Sequence, residues 1–339
     1  MAFVKNIHSI TSRPIKPEIT ADSLAPTLSQ RFDFTVLVVL LVTASGLALR
    51  LWHLTFLSLW WDEGVSIYLA GAGISAMTVA KDFTVDLHPP AYHLALAGWR
   101  ALLGPSVFSD RLLSTFAGVL TIPLCYQFVR RLADRASGII AAVLAAASPI
   151  AVYYSQETRM YAFLPFLALL SLYVSTSLLK NPTPRQWVYW VLTNALGVYV
   201  YYYLGLLSLS EATVLLIIAL QRQRRRAWLL AQLGLVATYL PWLAIMHNRL
   251  DQSLLSLPIS TTVHLTPSEY AFENLQSFTV GFSLPPDGQY LMILFLALSL
   301  FGTVCLGRRQ PLLLVLLILS ALIPFVAAGL FLLFRPFFF

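Results

Sequence analysis

The sequence predicts an all-α polytopic membrane protein, because it is strongly apolar and its apolar residues lie in long runs with few charges. Of its 339 residues, 58% are hydrophobic and 11% are charged. Such runs suit helices that cross hydrocarbon, where every backbone amide needs a hydrogen-bond partner within the protein. A membrane β-barrel would instead need short alternating segments, which the sequence lacks. We expect a bundle of about nine transmembrane helices.

Eight apolar stretches predict these nine spans. Seven have the length of a single helix and cover residues 34–49, 112–129, 136–156, 160–179, 227–246, 289–307 and 310–334. The eighth, 186–221, is longer, and Glu211 is its only charged residue. Basic residues flank this stretch on both sides, so both flanks should be cytoplasmic. We therefore expect a hairpin of two short helices with a turn around residues 203–205.

The basic residues also predict the orientation. With the N-terminus inside, 15 of the 22 lysines and arginines lie in cytoplasmic segments, whereas ten of the 15 acidic residues lie outside. This asymmetry indicates an N-terminus inside and a C-terminus outside. It also accounts for the net charge of +7, because the arginine cluster at 222–226 ends a span and no soluble basic domain is present. Nucleic-acid binding is therefore not expected.

The segments between the spans predict the domain organisation. Residues 1–33 are polar and contain three prolines, which is typical of a flexible cytoplasmic leader. A transmembrane module follows over residues 34–339, with large outer loops at 55–110 and 248–288. The chain ends on hydrophobic residues at Phe339, which we interpret as either a truncated product or a short form. Two cysteines, both inside spans, predict neither a disulfide framework nor a metal site.

The first outer loop is the most informative segment. Residues 65–80 are apolar but short for a span, and residues 91–103 follow two prolines, which suits the first turn of a helix. His93 and Arg100 are seven residues apart and would share one face of that helix, so we expect it to lie in the membrane interface. The loop would then form a lid over the membrane surface. One short helix is expected in the second loop, near residues 267–277.

Two adjacent acids, Asp62 and Glu63, open the first loop. In a chain with so few charges, paired carboxylates at the membrane surface suggest chemistry there. A plain interpretation remains open: the two acids could be solvated loop residues or an N-terminal cap for the segment that starts at Val65.

Four short motifs, all on the predicted outer side, resemble those of GT-C glycosyltransferases of the family 39 type. This superfamily includes the protein O-mannosyltransferases and the lipid A aminoarabinose transferases. The resemblance covers about residues 34–205. The motifs are Trp60-Trp61-Asp62-Glu63-Gly64, His88-Pro89-Pro90-Ala91-Tyr92, Asp110-Arg111-Leu112 and Gln156-Glu157-Thr158-Arg159-Met160-Tyr161.

The resemblance implies an enzyme that moves a sugar from a polyprenyl-phosphate donor to a hydroxyl of a glycan, lipid or protein. The reaction would take place on the outer side of a membrane, with a bacterial inner or plasma membrane as the expected location. Asp62 would act as the base, with Glu63 beside it, because a carboxylate increases the attack of an alcohol on the anomeric carbon. Displacement with one base gives inversion. Val65 and Ser66 stand where the aminoarabinose branch often has Arg and Tyr, so aminoarabinose transfer is not favoured.

The resemblance also implies substrate-binding residues. Arg159, together with Arg111, could bind phosphate oxygens bidentately, and the other expected substrate-binding residues are His88, Glu157 and Tyr161. Long apolar grooves between helices would hold the polyprenyl tail, among the membrane lipids. No metal ligands are identified, and the need for a divalent cation stays open.

Alternatives stay open for several of these side chains. The two arginines could be interfacial anchors that snorkel, and His88 could merely end the loop before Pro89. The tyrosines at 199 and 201–203 fit an aromatic belt better than sugar stacking. Glu211 is costly to bury, which makes it a functional candidate unless it is paired or reaches the surface.

The rival functional classes are a transporter or flippase, and a non-catalytic scaffold. A transporter places charges near the middle of the membrane, along a substrate path. Here Glu211 is the only acid within a span, whereas ten acids lie outside, and this distribution favours chemistry at the surface. A scaffold would have no need of Asp62.

The predicted topology can be tested with reporter fusions. Reporters placed after Arg135, Arg185, Arg226 and Arg309 should be cytoplasmic, and reporters after Asp86, Asp251 and Phe339 should lie outside. Protease protection in intact cells or spheroplasts measures the side. A reporter after Arg226 on the outer side would contradict the predicted hairpin.

Overall fold

The computed structural model describes residues 34–71, 88–180, 182–256, 266–282 and 288–334. These ranges contain α-helices, one short 3₁₀-helix at Met160–Ala162 and no β-strand, so the predicted all-α class is confirmed. The predicted leader, 1–33, and part of the apolar segment at 65–80 lie outside the described residues.

The helices are α1 Phe34–Leu51, α2 Trp61–Gly71, α3 Ala91–Leu103, α4 Val107–Leu132, α5 Arg135–Ala147, α6 Pro149–Ser155, α7 Phe163–Lys180, α8 Pro184–Val200, α9 Leu204–Gln221, α10 Arg225–Ser256, α11 Pro267–Thr279, α12 Gly288–Arg309 and α13 Pro311–Phe334.

Seven of the described helices are long and apolar enough to cross a membrane: α1, α4, α7 with the preceding 3₁₀ turn, α9, α10, α12 and α13. The bent pair α5 and α6 makes an eighth. The predicted ninth, α8, has 17 residues, which is the lower limit for a span. The chain is thus a multi-pass membrane protein, while nine crossings and their orientation remain predictions.

The span expected as one helix over residues 136–156 is broken, and the expectation of a single helix there is wrong. Helix α5 ends at Ala147, and α6 begins at Pro149 with a bend of 55° between them. Proline has no N–H to continue the helix, and it keeps the preceding residue out of the helical conformation. Ser148 accordingly has ψ of 119° and caps α6 by accepting a hydrogen bond from the N–H of Ala151.

A buried arginine satisfies backbone carbonyls that this break leaves unpaired. The Arg50 guanidinium, at the end of α1, donates to the carbonyls of Ala145 and Ala146 at 3.1 and 3.0 Å. It also donates to the Ser155 hydroxyl at 3.1 Å. A Cβ on Gly118 of α4 would lie 2.0 Å from the Ser155 hydroxyl oxygen and 3.1 Å from Arg50 Nε. The absence of a side chain on Gly118 therefore leaves the space that Arg50 and Ser155 need.

The hairpin predicted within residues 186–221 is present. Helix α8 begins with a capping box between Thr183 and Gln186, and Pro184 occupies its first turn, as helix starts favour. It ends at Val200, and α9 begins at Leu204. The connection therefore consists of Tyr201–Tyr203, slightly before the predicted turn, and brings three consecutive tyrosines to one end of the bundle.

Helices α2 and α3, from the predicted first outer loop, pack against this same end through a cluster of buried apolar side chains. Helix α3 has the predicted bounds, and α2 begins at Trp61, four residues before the predicted apolar segment. Their buried side chains contact α4, α7 and the α8–α9 connection. The cluster consists of Leu69, Ala70, Tyr92, Leu96, Leu113, Met160, Leu167, Val200, Leu204 and Leu207. Burial of these apolar surfaces holds the loop helices on the spans.

The face of α3 that carries His93 and Arg100 was predicted to lie in the membrane interface, but it packs against the protein. His93 is completely buried, with its ring edge-on to Tyr92 at 5.7 Å between centroids. Arg100 forms an ion pair with Asp110 of α4 at 3.0 Å. Tertiary contacts therefore bury His93 and hold the partly exposed Arg100 against α4, whereas Leu102 and Leu103 are exposed.

The second outer loop starts later than the sequence indicates. Helix α10 continues to Ser256, so the first nine residues of the predicted loop, 248–256, are helical. The sequence has no proline or glycine between Pro241 and Pro258 to end the helix earlier. The predicted short helix near 267–277 is confirmed as α11, which starts with a Thr266–Glu269 capping box.

Candidate active site

The two adjacent acids lie in the first turn of α2, where a carboxylate interacts favourably with the positive end of the helix. They point in different directions. The Asp62 side chain is 34% exposed, whereas the Glu63 side chain is buried. Their surroundings, and so their chemistry, therefore differ.

Glu63 forms a buried two-pronged ion pair with Arg111 of α4. Arg111 Nε and Nη2 lie 2.9 and 2.8 Å from the two carboxylate oxygens of Glu63. The same carboxylate accepts the backbone N–H of Thr158 at 2.8 Å. Both oxygens of Glu63 are thus occupied by strong, charge-assisted hydrogen bonds.

The remaining donors of Arg111 hold the segment between α1 and α2. Its guanidinium donates to the carbonyls of Leu54, Leu57 and Ser58 at 2.7, 3.0 and 3.3 Å. The ion pair therefore joins this segment, α2, α4 and the connection 156–159. We refer to Glu63, Arg111 and these backbone partners as the acid–arginine junction.

Arg159 lies beside the accessible acid. Its Nη2 is 3.6 Å from an Asp62 carboxylate oxygen, and its Nη1 donates to the Ser66 hydroxyl at 3.1 Å and to the Asp62 carbonyl at 3.3 Å. The guanidinium carbon lies 5.5 Å from the centre of the Tyr161 ring. A buried cation thus lies between a partly exposed carboxylate and an aromatic ring.

Aromatic rings extend the site away from Arg159. The Tyr161 ring packs edge-on against Tyr154 and Tyr201, with centroids 5.0 and 6.3 Å apart. His88 stacks on Tyr201 and Tyr202 at 5.3 and 6.0 Å with nearly parallel planes. Three of the predicted residues, Arg159, Tyr161 and His88, therefore belong to one continuous surface.

Of the tyrosines considered from the sequence, only some belong to this surface. Tyr199 lies apart: its hydroxyl donates to the Thr238 carbonyl, and its ring contacts Tyr239 of α10.

Burial raises the pKa of Tyr201 well above its usual range, so its hydroxyl stays protonated at neutral pH.

The connection that carries Glu157 and Arg159 is fixed by hydrogen bonds from neighbouring elements. The Ser114 hydroxyl of α4 donates to the Arg159 carbonyl at 2.8 Å. The Gln156 amide donates to the carbonyls of Arg50 and Trp52 at 3.0 and 2.8 Å. These bonds hold the connection against α4 and against the end of α1.

Glu157 is buried within this connection. Its residue is 7% exposed, and burial raises the pKa of its carboxyl from the ordinary value of 4.5 to about 7. A hydrogen bond from Tyr153 and the charges of Arg159 and Arg111 lower this pKa, while the charge of Glu63 raises it further. The desolvation of the carboxylate is the largest effect.

Glu211 does not join the residues of the first loop. It is completely buried within the spans, and one carboxylate oxygen accepts hydrogen bonds from donors on α7 and α8. These donors are Ser171, Ser175, Trp190 and Asn194. This network partly satisfies an otherwise costly acid and links three helices, while the other carboxylate oxygen, Oε1, is buried without a hydrogen-bond partner among the described residues.

Several residues at the site were missed by the sequence reasoning. Ser66 lies four residues after Asp62, so a helical reading of the first loop would have placed both on one face. Thr158 contributes a backbone N–H, which has no sequence signal. Tyr153 and Tyr154 sit in an apolar run and look like ordinary membrane tyrosines.

A metal site is not evident in the part of the chain that the structure describes. Within that part, no three His, Cys, Asp or Glu side chains are grouped so that they could hold an ion. Two acids of the first loop, Asp82 and Asp86, lie outside the described residues.

The fold and the site together define a polytopic helical membrane protein with acids, arginines and aromatic rings gathered at one end of its bundle. Residues 87–245 match the model of the family described as dolichyl-phosphate-mannose-protein mannosyltransferase. This match confirms the resemblance to GT-C glycosyltransferases and supports a membrane glycosyltransferase that uses a polyprenyl-phosphate sugar donor. The matched range includes the predicted substrate-binding residues from His88 to Tyr161 but not Asp62 and Glu63. No curated protein matches the chain.

The acid–arginine junction predicts that substitutions of the two adjacent acids change the stability of the fold by different amounts. Glu63→Gln should destabilise the fold by about 3–5 kcal/mol, because it leaves the Arg111 charge buried without its partner. Asp62→Asn should destabilise the fold less, since Asp62 is partly exposed, its carboxylate contact with Arg159 is long, and the Asp62 carbonyl and the Ser66 hydroxyl still accept hydrogen bonds from Arg159. Thermal unfolding of the purified protein in detergent measures both. Equal stabilities for wild type and Glu63→Gln would contradict the structural importance of the junction.

Proposed function

We propose that this protein transfers a sugar from a polyprenyl-phosphate donor to an acceptor hydroxyl on the outer side of the membrane, with inversion at the anomeric carbon. The observation that carries this proposal is the pairing of Asp62 with Arg159. A partly exposed carboxylate and a buried guanidinium lie 3.6 Å apart at the end of the bundle where the loop helices pack on the spans.

Asp62 is the better placed of the two acids to act as the base. A general base must accept a proton from the incoming hydroxyl, and Asp62 has a partly exposed carboxylate that a hydroxyl could approach. Glu63 has both oxygens bound to Arg111 and Thr158. We therefore assign Glu63 to the positioning of α2, and Asp62 to proton removal. A single accessible base favours direct displacement and inversion.

Arg159 is proposed to bind the donor phosphate. Negative charge grows on the phosphate oxygens as the glycosidic bond breaks, and a planar guanidinium stabilises it with two parallel hydrogen bonds. The nearness of Asp62 supports this role, because the base and the leaving phosphate act on the same anomeric carbon. In an inverting displacement they lie on opposite faces of that carbon, so the sugar must enter between Asp62 and Arg159 and lengthen their 3.6 Å contact. Arg111 is not assigned to phosphate, since its donors are occupied by Glu63 and by backbone carbonyls.

The aromatic surface formed by Tyr161, Tyr201, Tyr202 and His88 is proposed to contact the sugar. It continues from the Arg159 guanidinium, so a sugar attached to a phosphate at Arg159 would lie over these rings. Aromatic rings pack against the apolar faces of sugars, while their polar atoms remain available for hydroxyl groups. The acceptor would be a glycan, lipid or protein hydroxyl that approaches from the side of Asp62.

A transporter or flippase is less well supported. Such a protein needs a charged or broken element along a path through the membrane. The acid within the spans, Glu211, is enclosed by serine, tryptophan and asparagine donors on two neighbouring helices. The break between α5 and α6 is closed by Arg50.

Substitution of the proposed base should remove most of the activity. Asp62→Asn keeps the shape of the side chain but removes its basicity, and the loss of a positioned base typically lowers a rate by about a hundredfold to ten-thousandfold. Isolated membranes with a radiolabelled polyprenyl-phosphate sugar provide the assay. Glu273→Gln, an exposed acid on α11, is the matched control and should retain activity. Unchanged turnover by a properly inserted Asp62→Asn protein would refute the base role.

Replacement of Arg159 by lysine separates phosphate binding from simple anchoring in the membrane interface. Lysine keeps the charge but lacks the planar fork, so Arg159→Lys should lower donor-dependent turnover on the order of tenfold, as expected for the loss of one charge-assisted hydrogen bond. Arg226→Lys, at an exposed position, is the control. Equal rates for wild type and Arg159→Lys at matched membrane levels would instead favour a role for Arg159 as an anchor in the membrane interface.

A further inference from the structure

We propose that Glu157, in its protonated form, donates a hydrogen bond to the phosphate of the lipid-linked donor beside Arg159. This inference rests on the proposed function and adds a second phosphate-binding group to it. It also makes donor binding depend on pH near neutrality.

The burial of the Glu157 carboxyl supports this hydrogen bond to the phosphate. Glu157 is buried, yet its Oε2 atom has no hydrogen-bond partner among the described residues. A buried polar atom without a partner costs about 1–3 kcal/mol, so such an atom at a site indicates a missing ligand or water. The residues on both sides of Glu157 are held in place, because the Gln156 side-chain amide donates to the Arg50 carbonyl and the Thr158 N–H donates to Glu63.

The second support is the position of Glu157 relative to Arg159. The two residues share the connection between α6 and the 3₁₀ turn, and their charges interact. Arg159 in turn contacts the proposed base, Asp62. A phosphate bound at Arg159 would therefore lie near the buried carboxyl.

Burial, rather than the surrounding charged and titratable groups, favours a neutral Glu157 carboxyl. Burial is the largest effect and raises its pKa to about 7. The groups that interact with it electrostatically come from four elements and are Glu63 on α2, Arg111 on α4, Tyr153 and Tyr154 on α6, and Arg159 on its own connection. Because Glu63 and Arg111 carry opposite charges and are paired with each other, their effects on this pKa oppose each other, and burial remains the largest effect.

The protonation state decides what Glu157 offers to an anion. A protonated carboxyl is a hydrogen-bond donor, whereas an ionised carboxylate can only accept and would repel a phosphate. The donor is a phosphodiester, and its charge does not change between pH 5.5 and 8.5, a range of about three units in which Glu157 titrates. Donor affinity should therefore be high below the pKa of Glu157 and fall as pH rises above it.

The test is the donor KM of the full-length protein in membranes as a function of pH, measured with a radiolabelled polyprenyl-phosphate sugar. In wild type the donor KM should rise about tenfold from pH 6 to pH 8, because only the protonated fraction binds well. Glu157→Gln keeps an N–H donor at every pH, so its KM should stay low and flat. The control Glu273→Gln should behave as wild type.

A second variant tests the same idea without changing Glu157. The hydrogen bond from Tyr153 lowers the pKa of Glu157. Tyr153→Phe removes that bond, so the rise in donor KM should move to higher pH. A pH rise that persists unchanged in Glu157→Gln, or a flat wild-type profile, would overturn the proposal.

Donor binding measured directly keeps this proposal separate from the proposed function. Equilibrium binding of the radiolabelled donor to purified protein in detergent does not require turnover, and Asp62→Asn protein can be used for it. The same pH dependence is expected there, and its absence would overturn the role of Glu157. A protein that binds the donor with this pH dependence but never transfers the sugar would instead contradict the proposed function.

Discussion

The buried ion pair between Glu63 and Arg111 connects the parts of the chain that form the site. It ties α2 to α4 and, through backbone groups, to the segment after α1 and to the connection 156–159. Two opposite charges away from water are stable only when nearly all of their hydrogen-bonding capacity is used, and here it is. The geometry of Asp62 and Arg159 therefore depends on a pair that takes no part in the proposed chemistry itself.

This pair also explains how two neighbouring acids come to have different surroundings. Consecutive residues on a helix point about 100° apart, so one can face the protein interior while the other faces the site. Glu63 faces inward, where Arg111 neutralises it, and Asp62 remains partly exposed beside Arg159. The proposed mechanism needs this difference, because a carboxylate held by strong hydrogen bonds is a poor acceptor for a further proton.

A second buried arginine supports the same region from within the membrane. Arg50 binds the carbonyls released at the break between α5 and α6 and also the Ser155 hydroxyl. Ser155 immediately precedes the connection that carries Glu157 and Arg159. In lipid an unpaired backbone carbonyl is costly. The break is tolerated because the Arg50 guanidinium donates hydrogen bonds to the carbonyls next to it.

The sequence by itself determined the polytopic helical class, the hairpin of α8 and α9 and the helix at 91–103, because runs of apolar residues, charges at their ends and prolines act locally. Pro149 carried a local signal for the break in the span as well. Only the tertiary structure decided which of Asp62 and Glu63 is accessible, that Arg111 is occupied by the protein itself, and that His88 stacks on Tyr201. These properties depend on partners 48 to more than 100 residues away in the chain, as with Arg111 and Glu63 or Arg50 and Ser155. Composition and spacing reveal which residues can ionise or stack, but the packing of distant helices decides which of them meet.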